Sequence, residues 1–324
     1  MRTTYRFIDL FSGAGGFAEG FYLTGRYKPV LAIDNFRPAA LSYISNFPQT
    51  YFIMEDIKEV SARDILDLIG KDSIDLVIGS PPCEPFTGAN PRRKKNPVDR
   101  LYNDPMGQLT LHYIRLIGGL QPSIFVMENV PAIMDGELRR ALRYEFRRAG
   151  YPNIYFNILR AEDYGTPSHR IRVFISNIKI NPTKKKRRVT VEEALKDLPE
   201  PGDFPPNHEP PPPLSYRKAK RVSRLKWGQA MIYYEGARGR RLPNLIRLNP
   251  NTIAPTVLGS SRFIHPYHDR FLTVREQARL MGFPDQFIFY GGRDEQYNQV
   301  GEAVPVPLAK SIAEYIASIL DEGM

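Results

Sequence analysis

The stretch F-I-D-L-F-S-G-A-G-G-F, residues 7–17, decides the architecture. Its first half reads as a strand, its glycines as a turn, and the residues from Gly16 onward as a helix. Gly13, Gly15 and Gly16 let the backbone approach a ligand closely, and the helix N-terminus beyond them favours an anion. The run G-A-G-G-F-A, residues 13–18, also satisfies dinucleotide spacing in its Gly/Gly/Ala form. The turn alone therefore suits a nicotinamide dinucleotide as well as a carboxylate-bearing nucleoside, and any one of its glycines suits a plain turn. Asp34 ends the second apolar run and could accept hydrogen bonds from ribose hydroxyls. Asp56 follows the next apolar stretch and could read an adenine amino group.

Working outward, short apolar runs alternate with helical patterns, which predicts a doubly wound, mostly parallel α/β sheet. Strands are expected at 5–10, 29–33, 74–79, 123–128, 154–159 and 171–176. Helices are expected at 16–23, 37–46, 61–69, 105–119 and 135–149. In such a fold the ligand lies outside the carboxyl ends of the strands. The pattern changes near residue 178, where K-K-K-R-R at 184–188 precedes a Pro-rich stretch at 199–213 that suits neither a central strand nor a helix. The expected domains are a catalytic and cofactor-binding domain (1–177) and an inserted, less regular target-recognition domain (178–272). A hinge segment (273–296) and a C-terminal segment packing back on the first domain (297–324) follow.

The 324 residues include a single cysteine, which excludes an intramolecular disulfide and a cysteine-cluster metal site and suits a reducing compartment. No apolar run approaches the roughly 18 residues of a membrane span, and no long apolar signal region opens the chain. A cytoplasmic protein without a membrane partner is the expectation. The net charge of +10 is uneven: residues 176–259 hold 17 Lys and Arg against 7 Asp and Glu, and the remainder holds 28 of each. That segment reads as a local footprint for a polyanion, DNA or RNA. Within it Arg217, Lys218, Lys220 and Arg221 cluster beside Tyr216.

Three segments could carry chemistry. The lone Cys83 sits in G-S-P-P-C-E-P-F-T, residues 79–87, where a strand ends in a rigid Pro-Pro. A single cysteine is ordinarily a small buried hydrophobe, but a thiol at the rim of a sheet is where such enzymes work. Glu128 ends the apolar run I-F-V-M, residues 124–127, so its carboxyl is partly desolvated; protonated, it could donate to a ring nitrogen, and otherwise it caps the next turn. Arg170 and Arg172 alternate at the start of the strand V-F-I, residues 173–175, and so share one face. They could hold a base carbonyl, a phosphate or Glu128. After the cysteine, residues 84–103 form a long polar loop in which Arg92, Arg93, Lys94 and Lys95 could close over phosphate.

Together these motifs resemble the DNA cytosine-5 methyltransferase family, of the prokaryotic modification-methylase type, over most of the chain and in the family's order. Residues 7–17 resemble its cofactor loop, P-P-C at 81–83 its nucleophile motif, and D-P-M-G-Q-L at 104–109 the helix segment that follows. E-N-V at 128–130 resembles its acid motif and Y-G-T-P-S-H-R-I-R at 164–172 its paired-arginine motif. R-F-L-T-V-R-E-Q-A-R-L-M-G-F-P at 270–284 and Y-N-Q-V-G-E-A-V at 297–304 resemble its last two motifs. The resemblance implies a Rossmann-like, S-adenosylmethionine-dependent methyltransferase acting on duplex DNA. It implies Cys83, Glu128, Arg170 and Arg172 as catalytic residues. It implies cofactor contacts from Phe11, Ser12, Gly13, Ala14, Gly15, Gly16, Phe17, Asp34, Asn35, Asp56, Ile57, Pro82, Leu109, Glu302 and Ala303, and no metal. The expected partners are double-stranded DNA and a cognate restriction endonuclease, with the enzyme a monomer on DNA.

Four positions depart from the family pattern. Glu84 stands where Gln or Asn commonly follows the cysteine, and Ser168 replaces Gln before the arginines. Asp34 replaces a longer Glu, and Glu302 replaces Asn in the last motif. Two other readings fit the same scaffold. One is a tRNA cytosine-5 methyltransferase, although those relatives carry a further C-F-T segment and this chain has no second cysteine. The other is a non-catalytic DNA-binding relative, against which the intact Cys83, Glu128 and Arg172 argue.

Overall fold

A computed structural model describes residues 4–70, 74–236, 239 and 241–323. In chain order the elements are β1 (Tyr5–Leu10), α1 (Gly16–Tyr22), β2 (Tyr27–Ile33), α2 (Arg37–Asn46), β3 (Tyr51–Ile53), α3 (Ala62–Ile69) and β4 (Leu76–Gly79). There follow α4 (Asp99–Tyr102), α5 (Gln108–Leu120), β5 (Ile124–Asn129), α6 (Leu138–Arg148), β6 (Tyr155–Arg160) and β7 (Ile171–Ser176). The last part holds α7 (Val191–Leu195), α8 (Tyr216–Val222), β8 (Ala230–Glu235), β9 (Arg241–Ile246), α9 (Val274–Arg279), α10 (Arg293–Glu302) and α11 (Val306–Asp321).

Seven strands form one sheet in the order β3-β2-β1-β4-β5-β7-β6. β3, β2, β1, β4 and β5 pair in parallel, whereas β7 runs antiparallel between β5 and β6. Because side chains alternate along a strand, each central strand feeds two cores. Leu76, Ile78, Ile124 and Val126 join the core beneath α1 and α11. Val77, Phe125 and Met127 join the core beneath α3, α5 and α6. Local chemistry agrees with this layering. α3 opens on a reciprocal cap, Ser61 accepting from the Asp64 amide at 3.2 Å while Asp64 accepts from the Ser61 amide at 2.8 Å. The C-terminal helix α11 packs against α1. A Cβ at Gly20 of α1 would lie 2.3 Å from the Ala309 Cβ of α11, so only glycine allows that approach.

The expected boundary at residue 178 is not a break in packing. Ile180, Val191, Leu248, Val257, Phe263 and Leu272 all belong to the large core shared with α1 and α11. A separate small cluster of Val222, Met231 and Ile264 lies under α8 and the β8–β9 ribbon. The Pro-rich stretch 199–213 carries no helix or strand, as its prolines require. The stretch from Arg293 to Asp321 is apolar enough to cross a membrane, but it comprises α10 and α11, broken at 303–305, and much of it is buried.

Beneath the glycine turn, Glu19 of α1 is only 6% exposed, and burial pushes its carboxyl from 4.5 up to about 7. Since the folded value lies above the unfolded one, this group's contribution is complete below pH 4.5 and is lost as pH rises through about 7. Glu19→Gln removes that loss, on the order of 3 kcal/mol at alkaline pH. The expected result is a smaller fall in Tm between pH 5 and pH 8 than in the wild type. Parallel Tm curves for the two proteins would show that Glu19 ionises as freely in the fold as outside it.

Candidate active site

The loop that carries Cys83 leaves β4 at the top of the sheet and is fixed from both sides. The Ser80 amide donates to the Leu10 carbonyl of β1 at 3.2 Å, and the Asn129 amide group at the end of β5 donates to the Pro81 carbonyl at 3.0 Å. Beyond it, the amides of Phe86 and Thr87 both donate to the Cys83 carbonyl, at 3.0 and 2.9 Å. The fully buried Phe86 ring anchors that turn. The Cys83 side chain rests, half-buried, on the same core rim as Phe11 and Leu109. Asn129 was not singled out by sequence reasoning; the signal was its place beside Glu128 in E-N-V.

Glu128 is 6% exposed and forms an ion pair with Arg172, Nε to Oε1, at 2.8 Å. The pair exists because β7 runs antiparallel to β5, which brings the start of β7 to the end of β5. Burial pushes the Cys83 thiol up to about 11; the neighbouring Glu84 and Glu128 carboxylates add to this, and Arg172 and Arg170 oppose it. The ion pair thus sits beside a thiol that stays protonated near neutrality.

Arg170 corrects the expectation that it shares the base with Arg172. Its side chain is fully enclosed, with Nη1 donating to the carbonyls of Val257 and Gly301 at 2.8 Å each and Nη2 to Glu302 at 3.3 Å. It ties the sheet to the C-terminal motifs and has no face left for a substrate. Ser168, which departs from the family pattern, donates to the Leu280 carbonyl at 2.8 Å and serves the same join. Glu162, also unremarked in the sequence, accepts from the Arg170 amide at 3.3 Å and lies 3.1 Å from His169 Nδ1.

The glycine turn lies beside this centre. Gly15 takes φ 97° at the start of α1, and a Cβ at Gly16 would lie 2.8 Å from the Ala303 Cβ and 2.9 Å from the Val304 carbonyl. The last family motif therefore packs directly on the turn. A Cβ at Gly13 would meet nothing within 4 Å, so the backbone there faces open space. Asp34 supports the turn: one carboxylate oxygen accepts from the Gly13 amide at 2.8 Å and the other from Phe36 at 2.9 Å. Burial nonetheless holds the Asp34 carboxyl above its ordinary range. Asn35 and Phe36 beyond it are exposed, an apolar ring that the sequence reading passed over. Asp56 is half-buried just beyond the next strand, where the Lys58 amide holds its carboxyl below the usual range. Arg115 fixes that loop by donating to the carbonyls of Ile57 and Val60, both at 2.9 Å. Open space over Gly13, two strand-end carboxylates and an exposed ring fit an adenosine-bearing cofactor with an amino-acid tail.

In the loop 84–103, Arg92, Lys94 and Lys95 are exposed, but Arg93 is half-buried and donates to the Phe86 carbonyl at 2.8 Å. Arg100 is 3% exposed and donates to the carbonyls of Lys94 and Lys95 at 2.8 and 3.2 Å. Arg217, Lys218 and Lys220 project from α8 into solvent, whereas Arg221 also donates to the Met231 carbonyl at 2.8 Å. The run 184–188 is partly neutralised against the catalytic sheet. Lys184 and Arg188 pair with Asp163 at 2.9 and 3.4 Å, and Arg187 pairs with Glu193.

The raised Cys83 value has a direct readout, because the chain holds one cysteine. Alkylation of the free protein by iodoacetamide should keep accelerating between pH 9 and 11, since the reactive thiolate is still forming there. A rate that levels off below pH 9 would mean the empty site already holds a thiolate.

Comparison with known proteins agrees with this geometry. A sequence-family model described as C-5 cytosine-specific DNA methylase matches residues 5–318. M.MJ0563P of Methanocaldococcus jannaschii is 50% identical, over 95% of this chain and 98% of its own length. The type II methyltransferase M.DdeI of Desulfomicrobium norvegicum is 31% identical, over 96% of this chain and 88% of its own. A crystal structure described as a prophage-encoded DNA modification methyltransferase of E. coli superposes with a TM-score of 0.79 at 27% identity, covering 98% of this chain and 100% of that one. A cysteine on a strand-end loop beside a Glu–Arg pair and a glycine turn is the arrangement that goes with this match, and the chain belongs to the C-5 cytosine-specific DNA methylase family, as a DNA cytosine-5 methyltransferase.

Proposed function

We propose that the protein transfers a methyl group from S-adenosylmethionine to C5 of a cytosine flipped out of duplex DNA, through a covalent bond between Cys83 and C6. The observation that carries this reading is the buried Glu128–Arg172 pair beside Cys83. C5 of cytosine is a poor nucleophile within its aromatic ring. Addition of the Cys83 sulfur to C6 makes C5 enamine-like, and Glu128 binds or protonates N3 to stabilise the charge that develops. Arg172 orients Glu128 and the cytosine edge together. S-adenosylmethionine, when bound, supplies an electrophilic methyl on a sulfonium. Loss of the C5 proton and elimination of Cys83 then restore the ring.

In this reading the thiol, held up by burial, is activated once base and cofactor are seated beside it. Entry of the base and of a cationic cofactor would add positive charge and donors where Glu84 and Glu128 now oppose ionisation. C5 and C6 are covered in stacked DNA, so the base must leave the helix to reach Cys83. The exposed Arg92, Lys94 and Lys95 suit closure over phosphate, and Arg217, Lys218 and Lys220 suit contact with flanking phosphates. For the cofactor, Asp34 suits the ribose hydroxyls and Phe36 an adenine face. Glu302 and Ala303, next to the glycine turn, suit the amino-acid end. A cytoplasmic, monomeric enzyme paired with a restriction endonuclease accords with relatives named type II methyltransferases.

Cys83→Ala should abolish methyl transfer while leaving cofactor and DNA binding close to wild type, because little volume and no charge is lost. With 5-fluorocytosine at the target, the wild type should form a covalent adduct that the variant does not, since fluorine cannot leave as a proton. Methyl transfer by the purified variant would remove Cys83 from the chemistry.

Asp34→Ala should weaken S-adenosylmethionine binding at least tenfold in calorimetry on the free enzyme, while Cys83 alkylation is unchanged. Equal affinity in the two proteins, or tight binding of a nicotinamide dinucleotide by the wild type, would relocate the pocket.

A further inference from the structure

Outside residues 176–259 the chain has equal numbers of acidic and basic residues, and that balance conceals a one-signed face. α6 carries Arg139, Arg140, Arg143, Arg147 and Arg148 with a single acid, Glu145. Two of the arginines are answered within the helix: Arg140 pairs with Glu137 at 2.9 Å and Arg148 with Glu145 at 3.3 Å. Arg139, Arg143 and Arg147 have no carboxylate partner among the described residues, and all three are exposed. They recur every four residues, which spaces them about 6 Å apart along the helix and about 12 Å from first to last.

Two of these guanidinium groups share one support. Arg139 and Arg143 both lie over the Phe156 ring of β6, at 5.1 and 5.3 Å from its centroid. Stacking on a ring orders the side chains in advance. It also holds two like charges close together with no counter-charge between them, an arrangement that an external anion relieves. β6 is an edge strand, and the exposed Arg160 at its upper end adds a further cation there. Arg160 is a like-charged neighbour of Lys184.

The face is continuous with the active site. α6 begins nine residues after Asn129, and a Cβ at Gly136 would lie 3.9 Å from Pro97 of the loop that follows Cys83. Asp135 in the same turn lies 3.6 Å from the buried Arg100. The arginine row therefore starts where that loop ends and runs away from it down the flank of the sheet.

We propose that the α6–β6 face, through Arg139, Arg143, Arg147 and Arg160, binds the phosphates of duplex DNA beyond the methylated site. This rests on the reading that the enzyme acts on duplex DNA. Its chemistry is sequence-independent, because guanidinium groups spaced along a helix meet phosphates and no base edges. It gives the enzyme a second grip that grows with DNA length, separate from the basic face of α8.

The test compares wild type with the triple variant Arg139→Gln/Arg143→Gln/Arg147→Gln on duplexes of about 12 and about 40 base pairs carrying one target site mapped by bisulfite sequencing. Each lost phosphate contact lowers the log–log salt slope by about 0.9. The variant should bind the long duplex at least tenfold more weakly, with a slope shallower by about 2 to 3. It should methylate the short duplex at the wild-type rate. The Arg→Lys triple variant should restore the long-duplex affinity, and matched Tm values control for folding. Long-duplex affinity and slope equal to wild type would overturn the proposal. So would a change only in sedimentation, which would make the face a contact between protein copies. Failure of the wild type to methylate the short duplex would instead count against the proposed function.

Discussion

The site depends on one enclosed guanidinium. Arg170 draws together β7, the loop at Val257 and the end of α10 by donating to three carbonyls in two distant segments. Burying a charge is costly unless its donors are met, and carbonyl dipoles meet both Nη groups without adding a second charge, while the buried Nε has no partner among the described residues. The consequence is geometric. With Gly301 held against Leu258 and Gly259, and Ala303 against Gly16, the last family motif is locked onto the glycine turn. The glycine turn, the Cys83 loop, Glu128 and the last family motif then share one rim, although Gly16 and Ala303 stand 287 residues apart in the chain.

Arg172 is two residues away and does the opposite work. Arg170 precedes β7 and is enclosed among carbonyls, whereas Arg172, within β7, pairs with Glu128. An antiparallel strand at this position is what makes the pairing possible, since a parallel β7 would place its first residues at the other end of the sheet. The ion pair balances the Glu128 charge in a buried place, while the thiol beside it lacks a dedicated base.

Charge is distributed by the same logic of answered and unanswered groups. Lys184 and Arg188 look like free cations in the sequence but are spent on Asp163. Arg93 and Arg100 are spent on carbonyls within the loop they belong to, and so shape it. Cations on α6, on α8 and at Arg92, Lys94 and Lys95 are among those left over, and a polyanion can reach them. Composition counts both kinds alike, and for this reason a balanced count hid α6.

Much of the local structure, and the family, were legible in the amino-acid sequence. Period and punctuation placed α2 at its observed bounds and β1, β4, β5 and β7 within a residue or two, because each is a strongly patterned run ended by Gly, Pro or a cap. Cys83, Glu128 and Arg172 stand out in the sequence as candidates because motif spacing reports on side chains at strand ends, and the structure brings the three together. The three-residue β3 was not, being too short for a period to register, nor was the β8–β9 ribbon, whose residues are half exposed on both faces. Only the tertiary structure decided that Arg170 is a tie rather than a base contact, that Asn129 holds the nucleophile loop, and which cations remain unpaired. Each of these turns on a partner tens to more than a hundred residues away, and no pattern confined to neighbouring residues encodes a contact that exists only after the chain has folded.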